Sequence, residues 1–424
     1  MKKSLCLAVS ILSTALLVSC SQEDEEFKPF LNTETSCSIK VVGDYSNFEA
    51  LEVEFDRFNA FYPNVSLSYE KIDDYVNTLG TVLEREDKPN IFFSYAAWTA
   101  GDEKYKVAIS HMEDLSDSSL KLNLNCIRPG LINHVEDNKV LMVPIFSRTY
   151  GTMINNSLFE KEGIAIPQTW SELVSACEAF ANKGYKSPMM GYTLKDSSSL
   201  MNTIVYPSVV ANLAKDADML AKANSLDATA GECMRDGLAK VSQLMGSSAI
   251  DLAECDQIGD NYTKVILRFF EGDVPMMVCA GDTVSGTKKR EKESPAFIAS
   301  PFDYSYHPIP LNDQGGYFVD SPSIQFSVNK NCDNLDMTNE FMRFLLRKEE
   351  LNTMASNKRL VTPAKEMTFD PVYAPFAKIP SERTFSPEVI GIKDPIAKQV
   401  RVASYKVGRG ELTVDQAVSM YGSF

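Results

Sequence analysis

Alternating strand-like and helix-like stretches of apolar residues begin at residue 38. Residues 38–42 are a short apolar-leaning stretch that predicts a strand ending at Gly43. A helix is predicted next, with Ser46 or Asn47 as its cap, because apolar side chains recur at steps of three and four: Phe48, Leu51, Phe55, Phe58 and Tyr62. Residues 65–69 then alternate in polarity, which predicts a second strand.

The same pattern continues as far as residue 95. Residues 72–86 predict another helix, and residues 91–95 are apolar on both faces, which is typical of a buried parallel strand. Repeated strand–helix–strand units predict an α/β fold with a doubly wound sheet. Because ligands bind beyond the carboxyl ends of the strands in such sheets, this pattern singles out Asp44-Tyr45 and residues 95–98.

The middle of the chain adds a strand and a well-marked helix start. Residues 140–145 predict a strand that is interrupted by Pro144. A later helix is predicted to be capped by Thr169, with Glu172 completing a capping box. Trp170 lies in the first turn of this helix and is interpreted as a core residue.

The first twenty residues predict export and anchoring. A short positive start is followed by an apolar run over residues 5–17, too short for the roughly 20 residues that span a bilayer, so it is typical of a secretory signal. Residues 17–20 resemble a bacterial lipobox, in which Cys20 is diacylated and becomes the mature N-terminus, and two acyl chains anchor stably. The alternative is a plain signal peptide in which Cys20 is incidental. We therefore predict a signal over residues 1–19, and a lipidated cysteine with an acidic tether over residues 20–36.

The composition narrows the class of protein. The 424 residues include 42 Lys+Arg and 57 Asp+Glu, a formal charge of −15, and 44% of them are hydrophobic. Such a chain is globular and long enough for about two to four domains. Its acidic balance argues against a nucleic-acid binder, which needs a basic face. The seven cysteines after Cys20 are odd in number and far apart, so no disulfide is predicted.

Several motifs occur in an order that matches a known family. Pro144 is followed by Asn155-Asn156, then by residues 158–163 (Leu-Phe-Glu-Lys-Glu-Gly) and residues 167–173 (Pro-Gln-Thr-Trp-Ser-Glu-Leu). This stretch resembles extracellular solute-binding proteins of ABC transporters, in the family 1, sugar-binding branch that includes maltose-binding protein. Residues 270–277 are similar to a strand entry of that family, and residues 324–330 with the helix over 337–345 are similar to its late strand and helix.

The chain departs from the family at two positions. Asn155 stands where a Tyr usually precedes the Asn, and Asp282 stands near a position where the sugar-binding branch often has a Trp. The second departure matters more, because that aromatic side chain often stacks on a sugar.

The resemblance implies two α/β lobes of the periplasmic-binding-protein type II fold, each a doubly wound sheet flanked by helices, with the ligand cleft between them. It implies three chain crossings, which we place at residues 146–150, near 307–311 and near 348–352. The N-terminal lobe would then comprise residues 37–146 and 309–347. The C-terminal lobe would comprise residues 147–308 and 348–424.

The resemblance also implies a function. It indicates a lipid-anchored, monomeric receptor on the extracytoplasmic face of the cell membrane, which captures a carbohydrate of oligosaccharide size and delivers it to the permease subunits of an ABC importer. It implies no cofactor, metal or nucleic acid. Two alternatives remain open: the same fold binding a polyamine or an anion, and a surface adhesin or sensor lipoprotein that no longer serves transport.

The residue types that suit a sugar define the candidate ligand contacts. Aromatic rings cover the C–H faces of a sugar, and polar side chains satisfy its hydroxyls. The candidates are Asp44, Tyr45, Tyr95, Trp98, Arg148, Tyr150, Asp282, Tyr317 and Asp320. Most also have a structural interpretation: Asp44 as a helix cap, Tyr45, Tyr95 and Trp98 as core, Arg148 in a hinge ion pair, and Tyr317 and Asp320 on a mobile loop.

Enzymatic motifs give no competing function. The chain has no His-Glu-x-x-His, Cys-x-x-Cys or Gly-x-Ser-x-Gly, and its three histidines are far apart. Residues 281–288 nearly spell a phosphate loop, but Thr287-Lys288 replaces the required Lys followed by Ser or Thr. No spacing selects a catalytic carboxylate pair of the glycosidase kind. We therefore predict a binding protein that is not an enzyme.

Overall fold

The structure is a computed structural model that describes residues 26–100, 103–194, 197–259 and 261–424. The predicted signal over residues 1–19, Cys20 and residues 21–25 lie outside the described residues. Within the described ranges, every helix is too short or too polar to cross a bilayer. No disulfide joins any of the cysteines in these ranges.

The strands of the described residues are β1 (Cys37–Gly43), β2 (Val65–Lys71), β3 (Ile91–Ser94), β4 (Val143–Pro144), β5 (Ser147–Arg148), β6 (Tyr150–Asn155), β7 (Met189–Met190), β8 (Thr193–Leu194), β9 (Ser197–Ser198), β10 (Met276–Ala280), β11 (Tyr304–His307), β12 (Phe318–Val319), β13 (Ser321–Pro322), β14 (Gln325–Val328) and β15 (Thr384–Phe385).

The helices of the described residues are α1 (Glu49–Asn59), α2 (Tyr75–Leu83), α3 (Lys106–His111), α4 (Asn156–Glu162), α5 (Trp170–Asn182), α6 (Ser199–Leu213), α7 (Ala217–Asn224), α8 (Arg235–Met245), α9 (Leu252–Ile258), α10 (Tyr262–Phe269), α11 (Gly281–Ser285), α12 (Thr287–Glu293), α13 (Pro295–Ala299), α14 (Leu335–Leu345), α15 (Lys348–Lys358), α16 (Pro387–Ile390), α17 (Asp394–Gly408) and α18 (Val414–Ser419).

Two sheets organise the chain, and each has a hydrophobic core of its own. The first sheet has the order β2-β1-β3-β14-β4, in which β2, β1 and β3 are parallel and β14 runs antiparallel to both of its neighbours. The second has the order β11-β6-β10-β7, in which β6 is antiparallel to β10 and β11. Helices pack on both sheets, so we name the two bodies the first and second lobe.

The hydrophobic pattern placed the first elements correctly, but it misplaced one cap. β1, α1, β2, α2 and β3 all form where the pattern predicts them. The N-cap of α1 is Phe48, and no side chain caps this helix, so the prediction of Ser46 or Asn47 is wrong. The capping box of α5 forms as predicted, with Thr169 and Glu172 reciprocally bonded.

The lobes are joined where three chain segments run side by side. β5 pairs antiparallel with β13, and the Ser147 N–H donates to the Val361 carbonyl at 2.9 Å. The first crossing therefore lies at β5, inside the predicted 146–150. The second lies at β13 and the third near residue 361.

Two predicted crossings, and the lobe boundaries that depended on them, are wrong. Ile309 and Phe318 pack in the core of the second lobe, because β11 is the edge strand of the second sheet and the chain stays there until β13. Leu351 and Met354 of α15 pack in the core of the first lobe, where α15 lies against α1. The first lobe therefore takes residues from about 324 to 360, and the second lobe keeps residues up to 319.

The predicted tether packs on the first lobe from Phe27, the seventh residue after Cys20. Phe27 is only 3% exposed, and its ring centroid lies 5.0 Å from Phe61 and 5.2 Å from Phe344. The Arg343 guanidinium lies 3.7 Å from the Phe30 ring centroid and donates to the Lys28 carbonyl at 2.6 Å. A tether extending over residues 20–36 is therefore wrong, because apolar burial holds Phe27 in the first lobe.

We expect Phe27→Ala to destabilise the protein by about 3–5 kcal/mol, the usual cost of truncating a buried phenylalanine. Thermal unfolding followed by circular dichroism measures the effect. Phe30→Ala is the matched control, because Phe30 lies three residues away and is 55% exposed, so its loss is expected to be smaller. Equal melting temperatures for wild type and Phe27→Ala would contradict the docking of this segment.

Candidate ligand-binding cleft

Two polar side chains of the first lobe meet where adjacent strands end. Asp44 follows β1 and Tyr95 follows β3, and these strands are parallel neighbours. The Tyr95 hydroxyl donates to Asp44 Oδ2 at 3.1 Å. The carboxyl ends of parallel strands share one edge of the sheet, so the strand-end residues lie together as the pattern predicts.

Tyr45 completes the first-lobe side of the cleft. Its ring packs at nearly right angles against Phe48 and Phe93, with centroid distances of 5.3 and 5.6 Å. The Lys358 ammonium lies 4.3 Å from the centroid of the same ring. Gly43 allows this arrangement, since a Cβ at that position would lie 2.5 Å from the Phe93 ring. Tyr45 is thereby held half-buried at the edge of the sheet.

An ion pair occupies the second-lobe side. Asp282 lies in the first turn of α11, directly after β10, and accepts from Arg148 Nη1 at 3.2 Å and from the Ser323 hydroxyl at 2.9 Å. Arg148 belongs to the first crossing, and Ser323 directly follows the second. The side chains of Arg148 and Asp282 are 41% and 45% exposed. Both therefore remain accessible to a solute.

The charge of Asp282 reaches the tyrosines of the opposite lobe. Burial, followed by the negative charge of Asp282, raises the pKa of Tyr45 well above its usual value. Burial and the adjacent Asp44 raise the pKa of Tyr95, and Asp282 adds to the shift. Both hydroxyls therefore keep their protons at neutral pH, and the hydroxyl of Tyr95 donates its proton to Asp44.

Tyr150 extends this surface, together with residues that the sequence did not single out. Its ring centroid lies 5.2 Å from that of Tyr206 on α6. Tyr192 also experiences the charge of Asp282, after the larger effect of burial. Glu388 of α16 accepts from the Ser386 hydroxyl at 3.0 Å, and burial raises the pKa of Glu388 to about 7. Tyr206 and Glu388 carry no local sequence signal, because α6 is buried around most of its circumference and α16 is far along the chain.

Three candidates lie elsewhere. Trp98 is 3% exposed and lies between Tyr105 and Tyr75, with centroid distances of 5.1 and 6.4 Å, so the prediction that it stacks on a ligand is wrong for this conformation. The Tyr317 hydroxyl accepts from Asn312 at 2.7 Å within the second lobe. Asp320 is 5% exposed and belongs to the junction of the lobes.

We name the remaining set the cleft cluster; it combines aromatic faces with hydrogen-bonding groups from both lobes, and its members are Asp44, Tyr45, Tyr95, Arg148, Tyr150, Tyr192, Tyr206, Asp282 and Glu388. Tyrosines bury apolar surface and still offer a hydroxyl. Carboxylates and a guanidinium provide acceptors and donors. Within the part of the chain that the structure describes, no group of three or more His, Cys, Asp or Glu side chains is arranged to hold a metal ion.

Comparison with known proteins assigns the family. A family model described as bacterial extracellular solute-binding protein matches residues 55–379, and the chain belongs to that family. No curated protein sequence matches the chain. The family predicted from the order of motifs is thereby confirmed.

Solved structures agree on the fold. A family 1 extracellular solute-binding protein from Bifidobacterium longum subsp. infantis is 15% identical, with a TM-score of 0.65 over 92% of this chain and 98% of that one. RafE, solved in complex with raffinose, is 18% identical, with a TM-score of 0.67 over 92% and 98%. The GacH receptor of Streptomyces glaucescens, solved free and with acarbose, is 18% identical, with a TM-score of 0.65 over 92% and 97%. The two-lobed α/β fold is confirmed.

Proposed function

We propose that this protein captures a carbohydrate of oligosaccharide size in the cleft between its lobes and delivers it to the permease subunits of an ABC importer. In this proposal the protein is a monomer, held on the extracytoplasmic face of the membrane through lipid on Cys20. The observation that carries the proposal is the cleft cluster, which combines the exposed Arg148–Asp282 pair with tyrosines of both lobes. Membership of the solute-binding family and the raffinose and acarbose complexes of RafE and GacH support it.

The arrangement suits a sugar for physical reasons. The tyrosines of the cleft cluster provide apolar surface for the C–H faces of pyranose rings. Asp44, Arg148 and Asp282 replace the water that sugar hydroxyls lose on binding, and each buried hydroxyl left unpaired would cost about 1–3 kcal/mol. Because these groups come from both lobes, a bound solute makes its full set of contacts only when the lobes are close together. Binding then stabilises the closed form by the difference in affinity between closed and open forms.

The charges around the cleft favour an uncharged solute over a polyamine or an anion. The carboxylates Asp44 and Asp282 are accompanied by the cations Arg148 and Lys358. Burial raises the pKa of Glu388 to about 7, so this carboxyl is partly protonated near neutral pH. A polyamine site needs an excess of carboxylates, and an anion site needs an excess of donors with positive charge. The mixed signs here suit hydroxyl groups, which both donate and accept.

A thermal-shift screen tests the proposal. The purified protein is heated with glucose, maltose, raffinose, stachyose and chitin oligosaccharides, and in parallel with spermidine and inorganic phosphate. A solute that binds only the folded state at 100 times its dissociation constant adds about 2.7 kcal/mol to the free energy of unfolding. We expect a raised melting temperature with one class of oligosaccharide. A response to spermidine or phosphate, with none to any sugar, would overturn the proposal in favour of a non-sugar solute.

A further inference from the structure

One guanidinium of the first lobe lies at the junction of the lobes. Arg128 directly precedes a short 3₁₀ turn, Pro129–Leu131, and its neighbours Ile127 and Leu131 are buried in the first-lobe core. Its backbone N–H donates to the Pro363 carbonyl at 3.0 Å. Arg128 is therefore fixed to the first lobe on both sides, and its side chain, only 15% exposed, extends beneath the crossings.

The Arg128 side chain contacts all three crossings. Nε and Nη2 donate to the Asp320 carboxylate at 2.7 and 3.0 Å, next to the second crossing. Nη2 also donates to the Ser147 hydroxyl at 3.0 Å, on the first crossing. Nη1 donates to the carbonyls of Thr362 and Ala364, both at 2.7 Å, on the third. A single planar group thus joins three segments that are far apart in sequence.

Asp320 lies at the junction and is bonded to the second lobe. Its backbone N–H donates to the Phe385 carbonyl at 2.8 Å, extending the pairing of β12 with β15, which packs on the second-lobe core. Its side chain is 7% exposed. The Arg128–Asp320 pair therefore bridges the two lobes, and it is a buried, bidentate, charge-assisted contact, the strong form of hydrogen bonding between side chains.

We infer that Arg128 is a positioning residue that makes the three crossings bend as one unit and so sets the angle between the lobes. Backbone hydrogen bonds already join the crossings in pairs, and the Arg128 side chain adds a contact to all three at once. A guanidinium has five donors in one rigid plane, and here that plane fixes the crossings relative to each other. This role is independent of the chemistry of the solute, so it holds whether or not the solute is a sugar.

Hydrogen exchange of the full, ligand-free protein, followed by mass spectrometry, tests the inference with Arg128→Lys and Asp320→Asn. Lysine keeps the charge but loses the planar fork, and asparagine keeps an acceptor but loses the charge. In both variants we expect the Ser147 and Ser323 amides, which bond to Val361 and Phe146, to exchange about 10- to 100-fold faster. Amides in β1 and β10 are expected to exchange at wild-type rates.

Asp320→Asn tests whether the Arg128 guanidinium transmits a change at the second crossing to the first. Asp320 lies next to the second crossing, while Ser147 lies on the first and touches the same guanidinium. If Arg128 couples the crossings, the Asp320 variant must accelerate exchange at Ser147. An effect of Asp320→Asn confined to the second crossing would overturn the inference, and so would unchanged exchange in Arg128→Lys.

Arg343→Lys is the matched control. Arg343 and Glu340 form a similar bidentate pair, with side chains 13% and 4% exposed, and Arg343 also donates to a backbone carbonyl. This pair lies wholly within the first lobe, so Arg343→Lys is expected to leave exchange at Ser147 and Ser323 unchanged. If the control accelerates these amides as much as Arg128→Lys does, the effect is one of general stability, and the proposed role of Arg128 is wrong.

Discussion

Asp282→Ala is expected to weaken solute binding by about 10- to 100-fold and to leave the melting temperature close to that of wild type. The Asp282 carboxylate accepts hydrogen bonds from Arg148 and Ser323 and belongs to the same cluster as the cleft tyrosines. Its removal leaves hydrogen-bond donors of the site and of the solute without an acceptor. Each donor left unpaired costs about 1–3 kcal/mol of binding free energy, and a loss of about 1.4 kcal/mol weakens the affinity tenfold. The Arg148 contact is exposed, and exposed ion pairs stabilise a fold by only about 0–1 kcal/mol.

Isothermal titration calorimetry with the oligosaccharide that gives the largest thermal shift measures this effect. Asp273→Ala is the control, because Asp273 also forms an exposed ion pair in the second lobe, with Arg268, and does not belong to the cleft cluster. Its affinity is expected to equal that of wild type. Wild-type affinity in Asp282→Ala would show that the Arg148–Asp282 pair serves the hinge alone.

Glu54→Gln is expected to stabilise the protein at pH 8 by about 2 kcal/mol or more, because a neutral amide, unlike Glu54, releases no proton when the chain unfolds. Glu54 lies on α1 and is 0% exposed, and neither of its carboxylate oxygens has a hydrogen-bond partner among the described residues. Burial raises the pKa of Glu54 from 4.5 to about 8; Arg57, whose Nε is 3.6 Å away, lowers it, and Glu350 raises it.

The pH dependence of the Glu54 effect follows from the direction of the pKa shift. Below pH 4.5, folded and unfolded chains both bind the proton, and variant and wild type should be equally stable. Between pH 4.5 and 8 the unfolded chain releases the proton and the folded one keeps it, so wild type loses stability as pH rises. Above pH 8 the difference is constant.

Urea unfolding at pH 4, 6 and 8 measures this dependence. Glu349→Gln is the control, because Glu349 also pairs with Arg57 but is 54% exposed, so its substitution is expected to change stability little at any pH. A difference between Glu54→Gln and wild type that does not change with pH would contradict a protonated Glu54.

Local patterns in the sequence determine part of the fold and half of the site. Periodicity predicts β1, α1, β2 and β3, and the rule that parallel strands end at one edge brings Asp44 to Tyr95. The same periodicity does not tell which sheet a helix covers, and α15 therefore joined the wrong lobe in the prediction. Burial of Trp98 depends on Tyr75 and Tyr105, which arrive from separate elements.

The junction of the lobes was the least predictable region. Asp320 was expected to contact the solute. Its carboxylate instead accepts hydrogen bonds from Arg128, which lies 192 positions earlier in the chain. Arg128 has no motif and no periodic context, so only the tertiary structure identifies it. Glu388 reaches the cleft in the same way, from a short helix between loops. Residues that act through contacts distant in sequence leave no local pattern.

Under the proposed lipid attachment at Cys20, the docking of Phe27 would limit how far the protein can move from the bilayer. With Cys20 as the proposed lipid attachment, seven peptide units separate the anchor from Phe27. Fully extended, this segment spans at most about 25 Å. Phe27 contacts Phe58 and Phe61, where α1 ends, and this is the edge of the first lobe opposite the strand ends that form the cleft. If Cys20 carries the lipid as proposed, the attachment lies on the side of the first lobe away from the cleft, and solute can enter the cleft without passing the anchor.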